Sequence, residues 1–157
     1  MRLTKKVSDS FTEQQYLVRP KDINHYGRLF GGQLLSWIDE VAGIVAIRHS
    51  NAIVTTAAID NLQFKAPAFE GDLIVLQGRV TYVGRTSMEI RVDTYIETLD
   101  GDRTMINKAY IDMVAIDSNG CAVEVPDILI ETPEQQAEYT AAIKRKDLRK
   151  QRRREGF

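Results

Sequence analysis

Apolar positions recur with period two over about residues 88–97 and 103–116, whereas an earlier stretch is a long apolar run with helical spacing. That run holds Leu34, Leu35, Trp37, Ile38, Val41, Ala42, Ile44, Val45, Ala46 and Ile47. It is apolar on nearly every face of a helix over about residues 31–48, which predicts a buried helix. Two carboxylates, Asp39 and Glu40, sit in its middle, where a charge needs a partner or a task.

The rest reads as strands. Phe11 to Arg19 forms a first one, stopped by Pro20, and Ile53 to Phe64 is rich in Thr, Ile and Val and ends before Pro67 and the Glu70-Gly71-Asp72 turn. Leu73 to Val83 follows, then a Gly84-Arg85 turn. Met88, Ile90, Val92 and Ile96 next alternate with Glu89, Arg91, Asp93 and Glu97 in a half-buried pattern. Asp100-Gly101-Asp102 turns the chain into a last long strand, Arg103 to Ile116. Thr132-Pro133-Glu134-Gln135 is a helix start, with Thr as cap, Pro at the first position and Gln three residues after the cap. The predicted class is α+β: a strand, one long buried helix, then four strands whose length demands a twisted, curved sheet. Such a sheet can wrap a single apolar helix.

At 157 residues, 43% hydrophobic and 27% charged, the chain is expected to be one soluble globular domain. No apolar run approaches the roughly 20 residues that cross a bilayer, and no apolar signal core follows Met1-Arg2-Leu3. A cytoplasmic protein without a membrane partner is the expectation. One cysteine, Cys121, and two histidines, His25 and His49, leave no set for a disulfide or a cysteine- or histidine-rich zinc site, so no metal is expected. The net charge of −1 conceals an asymmetry: residues 144–157 carry eight Lys or Arg against Asp147 and Glu155, making the tail +6 and the other 143 residues −7. A solvated or frayed terminal helix explains this tail, and no nucleic-acid partner is assigned to it.

The chemistry concentrates where the buried helix begins. The run Asn24-His25-Tyr26-Gly27-Arg28-Leu29-Phe30-Gly31-Gly32 enters it without a Ser, Thr, Asp or Asn cap. The first amides of the helix are then free, at the positive end of its dipole, to receive an oxyanion or a phosphate.

Linked motifs carry a family resemblance over roughly residues 10–128. Arg19-Pro20-Lys21-Asp22-Ile23-Asn24-His25-Tyr26-Gly27, Phe30-Gly31-Gly32, Ile38-Asp39-Glu40-Val41-Ala42-Gly43, Asp60-Asn61-Leu62-Gln63-Phe64-Lys65-Ala66-Pro67 and Gly84-Arg85-Thr86-Ser87-Met88-Glu89-Ile90 occur in this order. Together they resemble the hotdog-fold cytosolic acyl-CoA thioesterases, in the branch shared by bacterial enzymes and brain-type acyl-CoA hydrolases. The resemblance implies a hotdog fold, a curved five-stranded antiparallel sheet around one long helix, over residues 1–130, with 131–157 as a C-terminal helix and basic tail. It implies hydrolysis of acyl-CoA to a free carboxylic acid and CoA, without metal or organic cofactor, by Asn24 and Asp39. The amide of Asn24 and the backbone N–H groups of Gly31 and Gly32 would stabilise the developing oxyanion. Asp39 would serve as general base or as nucleophile, a choice that remains open.

Helix geometry then adds a constraint. Gly31 and Asp39 are eight residues apart, roughly 12 Å along the axis at about 1.5 Å per residue, so Asp39 is expected to meet the Asn24 loop of a second subunit. This agrees with the dimers of the family, which often assemble as trimers of dimers. Arg85, Thr86 and Ser87, with Lys65, suit the phosphates of CoA, although an ordinary hairpin turn looks similar. Thr55-Thr56 suits a channel lining, and strand propensity explains it equally. A purely structural Asp39 would pair with Arg48 or Arg28. Glu40, about 100° round the helix, reads as a structural or interface charge, His25 as a loop or CoA-contacting residue, His49 as a partner of the helix C-terminal dipole, and Cys121 as a buried or turn thiol. Two other functions compete. A hotdog enoyl-CoA hydratase needs a proline and a different histidine spacing from Asp22-Ile23-Asn24-His25, and an acyl-CoA sensor would have no use for a carboxylate at Asp39.

Overall fold

The computed structural model describes residues 2–157. Its main sheet has five antiparallel strands, β2 (Thr12–Leu17), β3 (Ile53–Phe64), β4 (Leu73–Val83), β5 (Ser87–Glu97) and β6 (Arg103–Ile116), numbered after a short β1 (Thr4–Lys6). Their spatial order is β2-β4-β5-β6-β3, which leaves β2 and β3 as edges. β1 pairs in parallel with β7 (Asp127–Leu129) as a separate two-stranded ribbon. A one-turn helix α1 (Val7–Ser10) follows β1. The pairing runs Thr12↔Gly78 to Leu17↔Leu73, Leu73↔Glu97 to Val83↔Met88, Ser87↔Val114 to Glu97↔Arg103, and Ile53↔Ile116 to Phe64↔Asn107.

The concave face of this sheet wraps α2 (Gly31–Ser50). Leu34, Trp37, Ile38, Val41, Ala42, Val45 and Ala46 are buried against Ile74, Leu76, Val80, Met88, Ile90, Val92, Ala109, Ile111, Met113 and Ala115. These sheet residues share one parity on each strand, the period-two signature of a face packed on a core. The approach is close because β4 has a glycine under the helix: a Cβ at Gly78 would stand 2.9 Å from both Val41 Cγ1 and Val45 Cγ2. At the β2 edge Tyr16 stacks on Trp37, with ring centroids 4.5 Å apart. One expectation is corrected here. The helix is not buried all round, since Gly32, Ser36, Glu40, Ile47 and Arg48 are exposed, on the side beyond the reach of a single sheet.

The convex face carries α3 (Pro133–Glu155), capped by Thr132, whose hydroxyl accepts from the Gln135 amide. The seam under α3 is mainly ionic. Glu138 accepts from Arg79 and Arg91, and both guanidiniums also reach the buried Asp93. Buried Glu89 accepts from Thr81 Oγ1 at 2.6 Å and from Arg145 at 2.7 Å, while Arg145 also covers the Tyr110 ring. Arg149 lies 3.5 Å and Arg152 3.1 Å from Asp60. The expected solvated or frayed tail is therefore corrected: Arg145, Lys146, Arg149 and Arg152 engage the sheet, and the helix holds to Glu155 before a left-handed Gly156 cap.

His49 is also corrected. It is fully buried, with Nε2 2.8 Å from the Pro126 carbonyl. Burial pushes its pKa down, against the opposing effect of that carbonyl, so it is a neutral ring bolting α2 to the 126 segment and not a cation serving the helix dipole. Cys121 is exposed in the turn that begins at Asp117.

Candidate active site

The loop before α2 is a small folded ribbon. Pro20–Asp22 makes a 3₁₀ turn in which Asp22 Oδ2 accepts from the Arg19 amide at 2.9 Å. Ile23 and Leu29 then bridge antiparallel, and Leu29 and Arg28 tie to Ala68 and Phe69. Asn24 organises the tip. Its Oδ1 accepts from the Tyr26 amide at 2.9 Å and the Arg28 amide at 3.2 Å, and its own N–H donates to the Arg28 carbonyl at 2.7 Å. Gly27, at φ +78°, closes the turn. With the oxygen of Asn24 spent on the loop, its Nδ2 group is left as a donor with no acceptor among the described residues. His25 packs on Tyr26, centroids 4.1 Å apart, and both are exposed.

α2 begins at Phe30, which offers no side-chain cap. The Phe30 carbonyl accepts from Gln33 and Leu34, while the Gly31 and Gly32 amides meet no acceptor among the described residues, as the missing cap predicts. Both glycines are close to aromatic rings. A Cβ on Gly32 would lie 2.5 Å from Phe30 Cε1, and one on Gly31 would lie 3.7 Å from Phe64 Cζ. Only glycine at position 32 leaves Phe30 where it is.

Asp39 pairs with neither Arg48 nor Arg28. Its Oδ1 accepts from Thr56 Oγ1 at 2.6 Å, across from α2 to β3, and the same hydroxyl lies 3.5 Å from Met113 Sδ. Oδ2 remains free. Thr56 is a candidate that sequence reasoning did not separate from ordinary strand threonines, because only the folded contact to Asp39 distinguishes it from Thr55. Glu40, on another face of the helix, is exposed; burial and then the Glu40 carboxylate push the Tyr16 phenol up to about 12.

The four residues suited to CoA divide between two ends of the sheet. Lys65 follows Phe64 beside Gly31, its amide on the Ile106 carbonyl and its Nζ 3.9 Å from Met105 Sδ. Arg85, Thr86 and Ser87 form the β4–β5 turn, where Arg85 extends outward 3.9 Å from Glu124. The backbone oxygens of Arg85 and Thr86 anchor Val125 and Ala115. Phe64 stands opposite Asn107 and Ser87 opposite Val114, so about 7 residues of β6, roughly 23 Å at about 3.3 Å each, separate the two ends. No group of three His, Cys, Asp or Glu among the described residues would hold a metal, and no helix there is long and apolar enough to cross a membrane.

Comparison with known proteins agrees with these features. Residues 26–100 match the thioesterase superfamily. A Bacillus subtilis protein named as an uncharacterised acyl-CoA thioester hydrolase is 39% identical over 138 residues, 87% of this chain and 80% of that one. The human cytosolic acyl coenzyme A thioester hydrolase is 31% identical over 137 residues, and the chain spans 36% of its length. Among solved structures, a hexameric acyl-CoA thioesterase superposes with a TM-score of 0.91 at 42% identity, covering 96% of this chain and 97% of that one. The Staphylococcus aureus acyl-CoA hydrolase, solved with butyryl-CoA, CoA and CoA disulfide, gives 0.92 at 34% identity, with 98% and 94% covered. That enzyme has also been solved with alanine replacing one Asn, one Asp and one Thr. By sequence, by fold and by the helix around which the sheet closes, the chain belongs to the hotdog thioesterase superfamily, among its acyl-CoA thioester hydrolases.

Proposed function

We infer that the chain hydrolyses acyl-CoA to free acid and CoA at a site assembled between two subunits, from Asn24, Gly31 and Gly32 of one and Asp39 and Thr56 of the other. The observation that carries this reading is the free hydrogen-bonding capacity on both sides of the reaction: the Nδ2 donor of Asn24 with two helix-terminal amides, and the second oxygen of a carboxylate held by Thr56. The positions substituted in the S. aureus enzyme support it, since its Asn, Asp and Thr fall at the same intervals as Asn24, Asp39 and Thr56.

The chemistry follows from charge. As a nucleophile adds to the thioester carbonyl, the oxygen becomes an oxyanion, and donors already aimed at it lower the barrier. Asp39 either removes a proton from the attacking water or attacks the carbonyl itself, and the CoA thiolate leaves. Thr56 fixes one carboxylate oxygen, so the other presents its lone pairs in one direction. No metal or organic cofactor enters this scheme; CoA is part of substrate and product. Residues 1–130 form the hotdog domain that carries the reaction, and 131–157 the helix appended to it.

Two subunits are needed on grounds of reach and of exposure. Asp39 lies roughly 12 Å up the helix from the amides, whereas reacting atoms meet at about 3–3.5 Å. β3 is an open edge of twelve residues on which Ile53 is 58%, Ile59 37% and Phe64 56% exposed, beside an Ile47 that is 51% exposed. An apolar edge of this length calls for a partner strand, and a second β3 running antiparallel supplies one. Such a pair sets Lys65 of one subunit within about three strand spacings, roughly 14 Å, of Arg85, Thr86 and Ser87 of the other, which reunites the CoA-binding candidates. Hexameric relatives fit a trimer of such dimers, and the human cytosolic relative fits a cytoplasmic location.

Co-expression of Asn24→Ala and Asp39→Ala subunits tests the reading. Each variant alone is expected to be inactive, and random pairing should restore about a quarter of the parent rate, because half of the dimers carry one intact site of two. Verified mixed dimers without any recovered thiol release would sink it.

A further inference from the structure

The basic C-terminal helix has no part in the chemistry above, yet where it reaches β3 its cations converge on one residue, Arg149 also lying 3.8 Å from Glu89 and 3.9 Å from Asp112. Arg152 reaches both carboxylate oxygens of Asp60 at 3.1 Å, and Arg149 lies 3.5 Å from the same group. The Asp60 and Arg149 side chains keep only 16% and 10% of their exposure, so this pair is partly shielded from solvent. Lys144, Lys150, Arg153 and Arg154, on the same helix, have no acidic partner within salt-bridge distance among the described residues. The cations of α3 are thus sorted, and those that face the sheet gather at Asp60 and Glu89.

Asp60 begins the second of two irregularities in β3, the first lying between Thr56 and Ala58. The register on β6 passes from Asp60↔Tyr110 to Gln63↔Lys108, so β3 carries one extra residue there, and Asn61 takes a left-handed φ of +52°. A bulge of this kind re-aims the side chains that follow it. Here it delivers Phe64 against Gly31. From the inner face the bulge is held by Asn107, whose Nδ2 donates to the Gln63 carbonyl at 2.7 Å. From the outer face its anchor is α3, through Asp60.

The place of Asp60 in the assembled enzyme follows from the composite site, on which this inference rests. Asp39 is level with Thr56 and Gly31 with Phe64. Bringing Asp39 of one subunit to Gly31 of the other sets Thr56 opposite the other subunit's Phe64 in an antiparallel β3 pair. The two-fold axis then falls at or beside Asp60. Two half-buried carboxylates meet across that axis, and like charges opposite one another on paired strands repel. We propose that Arg149 and Arg152 are positioning residues of the thioesterase site: by neutralising and gripping Asp60 at the dimer axis they fix the Asp60–Gln63 bulge, and with it the distance between the Gly31 amides of one subunit and Asp39 of the other. The basic run of the tail is in this account a brace for both active sites at once.

Kinetics on the full-length assembled protein test this. The Arg149→Ala/Arg152→Ala double variant is expected to lose kcat by roughly 10-fold or more, because small misplacements of reacting groups are costly, while KM stays within about twofold because CoA contacts are untouched. Arg149→Lys/Arg152→Lys should recover most of the loss, as a merely structural guanidinium stack would not. Lys150→Ala/Arg153→Ala removes equal charge from the same helix without touching Asp60 and should leave kcat unchanged. Should the double alanine variant fail to assemble, Arg152→Ala alone, with Arg149 still in place, decides the matter by a kcat loss of about threefold or more. A kcat within twofold of the parent in the arginine variants overturns the proposal, as does an equal loss in the Lys150/Arg153 control. Asp39→Ala measured alongside separates the two readings: full activity in that variant defeats the composite site itself, while its inactivity beside unaffected arginine variants defeats only the brace.

Discussion

The Thr56 hydroxyl donates to Asp39 Oδ1 at 2.6 Å and so joins the central helix to the edge strand at the level of the candidate chemistry. A carboxylate that spends one oxygen in this way has a fixed plane. Thr56→Val keeps the shape and removes the donor, leaving Asp39 free to rotate. A kcat loss of roughly 10- to 100-fold with little change in KM is expected from assays of CoA thiol release, and Thr56→Ser should stay within about threefold of the parent. Equal kcat in parent and Thr56→Val would detach the threonine from the reaction.

The open β3 edge gives a second expectation. Ile59 lies close to the inferred axis and is 37% exposed. Lysine on an edge strand opposes pairing, because its charge must be buried for a neighbour to dock. Ile59→Lys should therefore sediment as a monomer, retain a native circular dichroism spectrum and lose nearly all turnover. A monomer as active as the parent would refute the shared site.

His49 carries a pH dependence that belongs to the fold and not to the site. Its Nε2–H donates to the Pro126 carbonyl, and its Nδ1 is buried with no partner among the described residues. Burial holds the folded pKa below the unfolded value of about 6.5. Below that value the unfolded chain binds a proton that the folded one refuses, so stability complete above about pH 6.5 is lost as pH falls toward the folded pKa. His49→Gln retains a donor for Pro126 and cannot titrate. Thermal unfolding at about pH 7.5 and about pH 5.5 should show a larger drop in the parent than in the variant; parallel drops would show that other groups are responsible.

The periodic elements were legible because their patterns are local. Residues 31–48, 53–64, 73–83 and 103–116 carry enough repeats of one period to declare helix or strand, and the observed Gly31–Ser50, Ile53–Phe64, Leu73–Val83 and Arg103–Ile116 agree. The uncapped glycine start is legible for the same reason. β1 and β7 were not, since three residues carry no period and each strand exists only through a partner more than a hundred positions away. The role of Gly78 depends on two valines of another element, and that of Thr56 on a helix seventeen residues behind it. The tail misled for a related reason. A run of cations looks solvated when the acids that pair with it, Asp60 and Glu89, lie on strands far back in the chain.

The two layers that flank the sheet respond to their surroundings by different rules. α2 is held by apolar burial, whose strength per unit area levels off on heating, whereas α3 is held mainly by ions, whose cost of leaving water falls as temperature rises. Salt works the other way, screening the half-exposed Arg152–Asp60 end of the seam before it touches the core. Warming and salting should therefore loosen the molecule from opposite faces, with α3 exchanging its amides early in concentrated salt and late in heat. Hydrogen exchange on the two helices would read that order directly, and an enzyme kept at high temperature would gain from the ionic side of its own sheet.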